Sequence, residues 1–391
     1  MKPNHHPFSR RQFLRQSAVA AAAGFFTVRL RGAAAPRIAD LETRVISLDH
    51  ENYHGWPTVT RLRSGRLMAV CSGGREQHVC PFGRVDCIVS DDEGRTWSWP
   101  RTLLDGDLDD RDAGVLETPS GALLVTSFTS LAYEPTLAAA EKGGKWAPER
   151  LRRWQAARDR LDAGRRKAEL GQWMIRSTNG GRTWSSPYSS RVNSPHGPVV
   201  LANGRLFYAG VQLWAASRRV EVCESIDDGQ TWRWLADIPI RDGDRMEQYH
   251  ELHAVEAASG RLVVQIRNHN PANANETLQT ESEDGGRTWS VPHPIGVWGL
   301  PSHLLRLRNG NLLMTYGHRR APLGNQVRLS LDEGRTWSDP LILSGDGTST
   351  DLGYPSTVEL EDGTLLTVWY EALKGNPRAV LRQARWRIAS T

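Results

Sequence analysis

Cysteine is scarce, with four in 391 residues, and so few cannot supply the disulfide framework of a small secreted scaffold. Cys71, Cys80, Cys87 and Cys223 read as buried thiols, with a Cys80 to Cys87 bridge as the one pairing left open. Long apolar runs are also lacking. The stretch Ala18 to Phe26 is shorter than a membrane span and runs into Arg29 and Arg31, so no stable span is expected in the mature chain. Net positive charge is missing from most of the chain. The formal +5 rests on Lys2, Arg10, Arg11, Arg15, Arg29 and Arg31, whose six charges exceed it by one and leave −1 beyond residue 35. Nucleic-acid binding therefore has no electrostatic basis. His250 and His253 flank Glu251 without the spacing of a zinc-binding helix, so neither a metal nor a cofactor is expected.

The basic start has its own reading. Ser9-Arg10-Arg11-Gln12-Phe13-Leu14 resembles the twin-arginine export pattern, followed by the short apolar run and the small residues Ala33-Ala34-Ala35. Residues 1–35 are thus expected to be a signal peptide, and the mature protein to be exported to the periplasm or the extracellular space.

What the chain has in abundance is one eight-residue phrase. Ser330-Leu331-Asp332-Glu333-Gly334-Arg335-Thr336-Trp337 recurs in four variants, Ser90 to Trp97, Ser177 to Trp184, Ser225 to Trp232 and Ser282 to Trp289. An Asp or Asn that accepts from loop N–H groups, a Gly free to take positive φ and a Trp that returns to a hydrophobic seam describe a tight turn between strands. A second, independent repeat is a small or acidic residue plus Gly before an apolar strand: Ser64-Gly65, Ser120-Gly121, Asn203-Gly204, Ser259-Gly260, Asn309-Gly310 and Asp362-Gly363. Six hairpins, most followed by a box after a strand and its return, predict an all-β fold, a six-bladed β-propeller over 41–391. Thr43 to Leu48 is expected to pair beside Arg385-Trp386-Arg387-Ile388 and close the ring. The excess between Ala132 and Gly171 in blade two is rich in Ala, Arg, Lys, Leu and Glu and reads as a helical insertion on one face, either a lid or a solvated basic surface.

In a propeller the residues that enter each first strand and leave each second strand converge on one pore mouth. Nine positions before the hairpin Gly stand Trp56, Asp112, Glu251 and Tyr354, with His196 and His303 eight and seven before theirs. On the exit side stand Arg75, Arg267, His318 and Arg319. A ring this polar and aromatic suits a sugar, with Arg forks for acid groups.

These boxes, hairpins and entry residues resemble the sialidase (neuraminidase) superfamily, from about Tyr53 to Arg387. The resemblance implies a tyrosine nucleophile polarised by a glutamate, three arginines on the substrate carboxylate and an aspartate acid/base. His250-Glu251-Leu252 matches the glutamate position, Gln265-Ile266-Arg267-Asn268 the second arginine, and Asp351-Leu352-Gly353-Tyr354-Pro355-Ser356 the nucleophile region. Arg319 or Arg320 offers the third arginine. The first arginine is replaced by Trp56 in Gly55-Trp56-Pro57, leaving Arg75 or Arg111 as substitutes. The loop expected to carry the aspartate reads Glu76-Gln77-His78-Val79-Cys80-Pro81-Phe82-Gly83, leaving Glu76 or His78 to move the proton. The expected catalytic set is Tyr354, Glu251, His78 and Glu76. The expected substrate-binding set is Arg75, Arg111, Asp112, His196, Arg267, His303, His318, Arg319, Arg320 and Trp56. The function this implies is an exported, monomeric, sialidase-like glycoside hydrolase acting on a terminal acidic sugar. Two other readings stand beside it: a polysaccharide lyase or other glycosidase using His196, His303 or His318 with Tyr354, and a glycan-binding propeller without catalysis.

Overall fold

Gly65, Gly121, Gly204, Gly260, Gly310 and Gly363 all adopt φ between 79° and 91°, so each predicted hairpin turns where only glycine is unstrained. The computed structural model describes residues 36–49 and 51–389, and the expected signal peptide lies outside the described residues. Strand β1 (Arg37–Val45) comes first, then β2 (Tyr53–Arg61), β3 (Leu67–Arg75), β4 (Arg84–Ser90) and β5 (Arg101–Leu104) as blade one. Blade two is β6 (Asp109–Glu117), β7 (Leu123–Ser130), β8 (Gln172–Ser177) and β9 (Tyr188–Ser189); blade three is β10 (Val199–Val200), β11 (Leu206–Val211), β12 (Val220–Ser225) and β13 (Arg233–Asp237). Blade four is β14 (Tyr249–Glu256), β15 (Leu262–Asn268), β16 (Leu278–Ser282) and β17 (His293–Pro294); blade five is β18 (Ser302–Arg306), β19 (Leu312–His318), β20 (Gly324–Ser330) and β21 (Leu341–Ser344). Blade six joins β22 (Leu352–Glu359), β23 (Leu365–Ala372) and β24 (Ala379–Ala389) to β1.

The protein is a six-bladed β-propeller, closed by that last pairing. Thr43 lies opposite Ala384, as the expected closure requires, but the strand runs from Arg37 to Val45 and not from Thr43 to Leu48. The expected propeller start at residue 41 falls inside it. Past Val45 the Ile46 and Ser47 N–H groups still reach Leu381 O, Leu381 N donates to Ser47 Oγ at 2.6 Å, and there the chain leaves the sheet.

Packing explains why six blades hold together. Six apolar clusters form, each shared by two neighbouring blades. The one between blades six and one joins Val358, Leu366 and Val368 to Val59, Leu67 and Ala69. Equivalent seams follow around the ring. Each box Trp lies half-buried against one of these seams.

The boxes lock their own turns by hydrogen bonds. Ser330 Oγ donates to Asp332 Oδ1 at 2.7 Å and accepts from Gly334 N at 2.7 Å, while Asp332 accepts from the N–H and hydroxyl of Thr336 at 2.8 and 2.6 Å. All five boxes bond to the preceding blade, two of them through the Trp itself: Trp337 Nε1 donates to Gln279 of blade four, and Trp97 Nε1 to Gln383 of blade six. An Asp332→Ala change removes these acceptors and is expected to cost about 1 to 3 kcal/mol in denaturant unfolding, with ligand binding unchanged because the box sits on the face away from the pore mouth.

The insertion is helical, as its composition predicts: α1 (Glu134–Gly143), α2 (Pro148–Asp159) and α3 (Ala163–Ala168) lie between β7 and β8. Trp154 of α2 packs with Tyr133, Leu137 and Cys80, with Phe82 beside them, so the insertion sits on the loop between β3 and β4 of blade one. All four cysteines are free and buried, and the Cys80 to Cys87 bridge does not form. Cys80 belongs to the insertion cluster, whereas Cys87 lies in the seam between blades one and two.

Candidate functional site

The inner strands enter the ring through a repeated irregularity. Their pairing slips between Gly55 and Thr58, Arg111 and Gly114, Tyr249 and Leu252, and Gly353 and Ser356. Within three of these bulges one side chain sits in the left-handed region: Trp56 at φ 53°, Asp112 at 48° and Tyr354 at 52°; His196 of blade three takes 71°. A bulge re-aims a side chain at a local strain cost, about 1 to 3 kcal/mol for such a residue. Four of the six blades spend that strain at the pore mouth.

One set of contacts dominates there. The Tyr354 hydroxyl donates to Glu251 Oε1 at 2.6 Å, and Arg267 Nη1 donates to the same Glu251 oxygen at 2.9 Å and to the Tyr354 oxygen at 3.2 Å. Arg267 Nε lies 2.9 Å from His269 Nε2, which leaves Nη2 as the uncommitted arm of the guanidinium. Burial raises the Glu251 carboxyl, but the Arg267 charge and the Tyr354 hydrogen bond overcome it and hold Glu251 down to about 2. Burial, then the Glu251 charge, push the Tyr354 phenol well above its ordinary range. A charged acceptor thus faces a protonated phenol, the arrangement needed to pull the proton as the oxygen attacks carbon. Beside them a cleft of about 160 Å³ is lined by Glu251, Asp112, Phe128, Asn193, Arg218 and His250, among others.

Arg319 is turned inward. Its Nε and Nη2 donate to Leu352 O, two residues before Tyr354, at 3.2 and 3.0 Å, and it makes no ion pair with an acid among the described residues. Arg320 points the other way and stacks on the exposed Trp298 at 4.7 Å, so of this pair only Arg319 reaches the site. His318 is half-buried at the end of β19.

Several expected site residues prove structural. Arg75 is fully buried and locked to Asp109 at 2.5 and 3.0 Å, so it cannot grip a substrate; an acid from the next blade, invisible in the local sequence, claims it. Trp56 is 2% exposed, with the guanidinium carbons of Arg111 and Arg75 at 4.5 and 4.9 Å from its ring centroid. It is a packed wall and not an open sugar platform. Glu76 faces the insertion, where it accepts from Arg150, Arg153 and Trp154 Nε1, so it is withdrawn from acid/base work. Those contacts also occupy Arg150 and Arg153 of the insertion's basic residues.

His196 and His303 are buried as well. Their rings pack 5.1 Å apart and meet His253 at 5.5 and 4.5 Å. His253 Nδ1 accepts from Leu304 N at 2.9 Å, and His196 Nδ1 lies 3.2 Å from Thr58 Oγ1. Burial drives His253 down to about 3 and the other two well below the usual histidine range. They are neutral pins between inner strands, and the sequence signal of paired entry histidines came from packing. Among the described residues no group of three or more His, Cys, Asp or Glu is arranged to hold a metal ion.

The description "BNR repeat-like domain" belongs to a family model that matches residues 149–367, more than half of the chain. The chain belongs to this family. A sialidase of Micromonospora viridifaciens is 25% identical over 203 residues, covering 44% of this chain and 31% of that relative, so the match spans less than a third of the relative's length. The NanB sialidase of Streptococcus pneumoniae superposes with a TM-score of 0.61 at 16% identity, over 88% of this chain and 70% of that one. A Dyadobacter fermentans protein of unknown function superposes with 0.72 at 22%, over 91% of this chain and all of its own. The structural likenesses share the fold, and together with the family match they place the chain as a divergent member of the sialidase-like superfamily. At the blade-one entry of this site stands Trp56, backed by Arg111, whose buried Nε makes no hydrogen bond among the described residues and lies 4.0 Å from Asp109.

Four residues of this site escaped the sequence reading: Arg218, His269, Tyr370 and Asp351. Asp351 stood inside the quoted nucleophile segment and could have been found there. Asp112, which did stand out, sits where its surroundings favour the protonated form. Burial raises it to about 7, with Arg111 opposing and the Glu251 charge assisting. Its folded value exceeds the unfolded value of about 4, so its contribution to stability is present below pH 4 and lost as pH rises through 7. Asp112→Asn removes that loss, and thermal unfolding is expected to show a larger gain for this variant at pH 8 than at pH 5.

Proposed function

We propose that this protein is an exported, sialidase-like glycoside hydrolase that releases a terminal acidic sugar from a glycan. In this reading Tyr354 attacks the anomeric carbon while Glu251 takes its proton, and Arg267 Nη1 steadies the charge that develops on the phenol oxygen. A phenol suits a sugar whose acid group lies on the anomeric carbon, because a carboxylate nucleophile would be repelled there. Arg319, the free Nη2 arm of Arg267 and Arg111 form the substrate's carboxylate grip, with Arg111 taking the part left open by Trp56. The observation that carries the proposal is the Tyr354 hydroxyl at 2.6 Å from Glu251, with Arg267 bonded to both.

Export is supported by the Ser9 to Leu14 pattern. The hydrolase reading is favoured over the lyase reading because two of the three histidines a lyase would use, His196 and His303, are packed against each other and His253, which leaves His318 alone for that role. Release of a fluorescent aglycone from an aryl sialoside, within a panel of aryl glycosides, tests the proposal. Binding of an acidic glycan without turnover of any of them would make the protein a glycan-binding propeller instead.

A further inference from the structure

The acid/base group is the part of the chemistry left without an aspartate, and a cluster beside the nucleophile offers an answer. Asp351 collects three donors: His78 Nδ1 at 2.8 Å, Tyr53 Oη at 3.0 Å and Tyr370 Oη at 3.0 Å. Burial works to raise this carboxyl, but the hydrogen bond and charge of His78, with the two phenols, hold it below the usual carboxylate range. An ionised Asp351 only accepts, so the proton of the neutral His78 ring sits on Nδ1 and the Nε2 lone pair is left outward. His78 Nε2 has no protein partner among the described residues, and the side chain is 46% exposed. Its backbone is held too: Arg75 Nη2 donates to His78 O at 3.0 Å. The ring stands edge-on to Trp56 at 5.0 Å, and the Tyr370 ring lies 5.9 Å from that of Tyr354. The whole cluster therefore borders the nucleophile.

Resting on the hydrolase reading above, we infer that His78 is the acid/base of this site and that Asp351 is its positioning residue, an imidazole and carboxylate dyad that does the work of the missing aspartate. Before the first step the outward Nε2 takes a proton from solvent, and the resulting imidazolium of His78 gives that proton to the glycosidic oxygen as that carbon–oxygen bond breaks. The Tyr354 oxygen bonds to the anomeric carbon, and its proton passes to Glu251. In the second step neutral His78 takes a proton from water, whose oxygen bonds to the anomeric carbon as the bond to Tyr354 breaks. Glu251 returns the proton to the phenolate, and His78 is again an imidazolium. Asp351 stays ionised throughout, holding the tautomer and offsetting the imidazolium charge.

Two measurements test the dyad independently. Long-range proton–nitrogen NMR of the full chain reads the tautomer of His78 without any need for turnover. The Nδ1–H form is expected in the wild type and a mixture in Asp351→Asn, whereas an Nε2–H form in the wild type overturns the dyad. Kinetics read the role through the leaving group, with 4-methylumbelliferyl sialoside as the easy one and 3'-sialyllactose as the hard one. His78→Ala is expected to lower kcat/KM on sialyllactose on the order of a hundredfold to a thousandfold, and on the aryl sialoside far less. Asp351→Asn should fall in the same direction by about tenfold, a split that a merely structural role would not produce. Equal losses on both substrates, or none, overturn the assignment while Tyr354 and Glu251 stand. A wild type inert on every glycoside of the panel removes the hydrolase reading itself, whatever the tautomer.

Discussion

Tyr354→Phe is expected to lower kcat on the order of a thousandfold or more, about 4 kcal/mol of transition-state stabilisation, with the protein folded and ligand binding nearly intact. The change deletes one oxygen. The phenyl ring still fills the seam between blades six and one, and Arg267 keeps its ion pair with Glu251 at 2.9 Å. Binding depends on groups this substitution leaves in place, so KM should move little. Steady-state kinetics on an aryl glycoside that the wild type turns over, with a thermal melt of the same preparation, separate the two effects. A variant that melts normally yet retains more than a tenth of the activity would remove Tyr354 from the chemistry.

Arg75→Met is expected to destabilise the fold by about 3 to 5 kcal/mol, the usual effect of stranding one member of a buried ion pair. Arg75 and Asp109 are both wholly inaccessible. Arg75 also donates to Ser72 Oγ and to the carbonyl oxygens of Asp110 and His78. Removing it leaves the Asp109 carboxylate with only Arg111, 4.0 Å away. Denaturant unfolding reads the loss, and a Met is chosen because it fills much of the volume. Had Arg75 been a substrate-gripping arginine, the same change would leave stability alone and raise KM for an acidic sugar.

Arg75 and Arg267 show where sequence reasoning reached its limit. Both leave a second strand at comparable distances from their hairpin, and both look like carboxylate forks. Their partners decide between them: Asp109, from the next blade, claims the first, while Glu251 and Tyr354 hold the second at the mouth. Local chemistry was legible. The hairpin glycines, the boxes and the six-blade count follow from turn residues that act within a few positions of themselves. The entry residues were legible by counting, because the same bulge recurs at Trp56, Asp112, Glu251 and Tyr354 and holds them in one ring.

What the sequence does not carry is the pairing of polar groups across blades. Glu76 looked like a proton donor until Arg150 and Trp154 reached it from an insertion more than seventy positions away. His196 and His303 looked like ligands for a sugar until His253 completed a buried packing unit. The start of β1 was missed for a similar reason, since a closing strand is defined by the register of its distant partner. In each case a polar side chain that looks exposed in one dimension is satisfied by a residue that only the closed ring brings near.

The most direct test incubates the full chain with a 2,3-difluorinated sialic acid and examines it by intact-protein and peptide mass spectrometry. A covalent sugar adduct on the peptide bearing Tyr354, lost in Tyr354→Phe, is the result predicted here. An adduct on another residue, or none from a protein that hydrolyses an aryl sialoside, would contradict it.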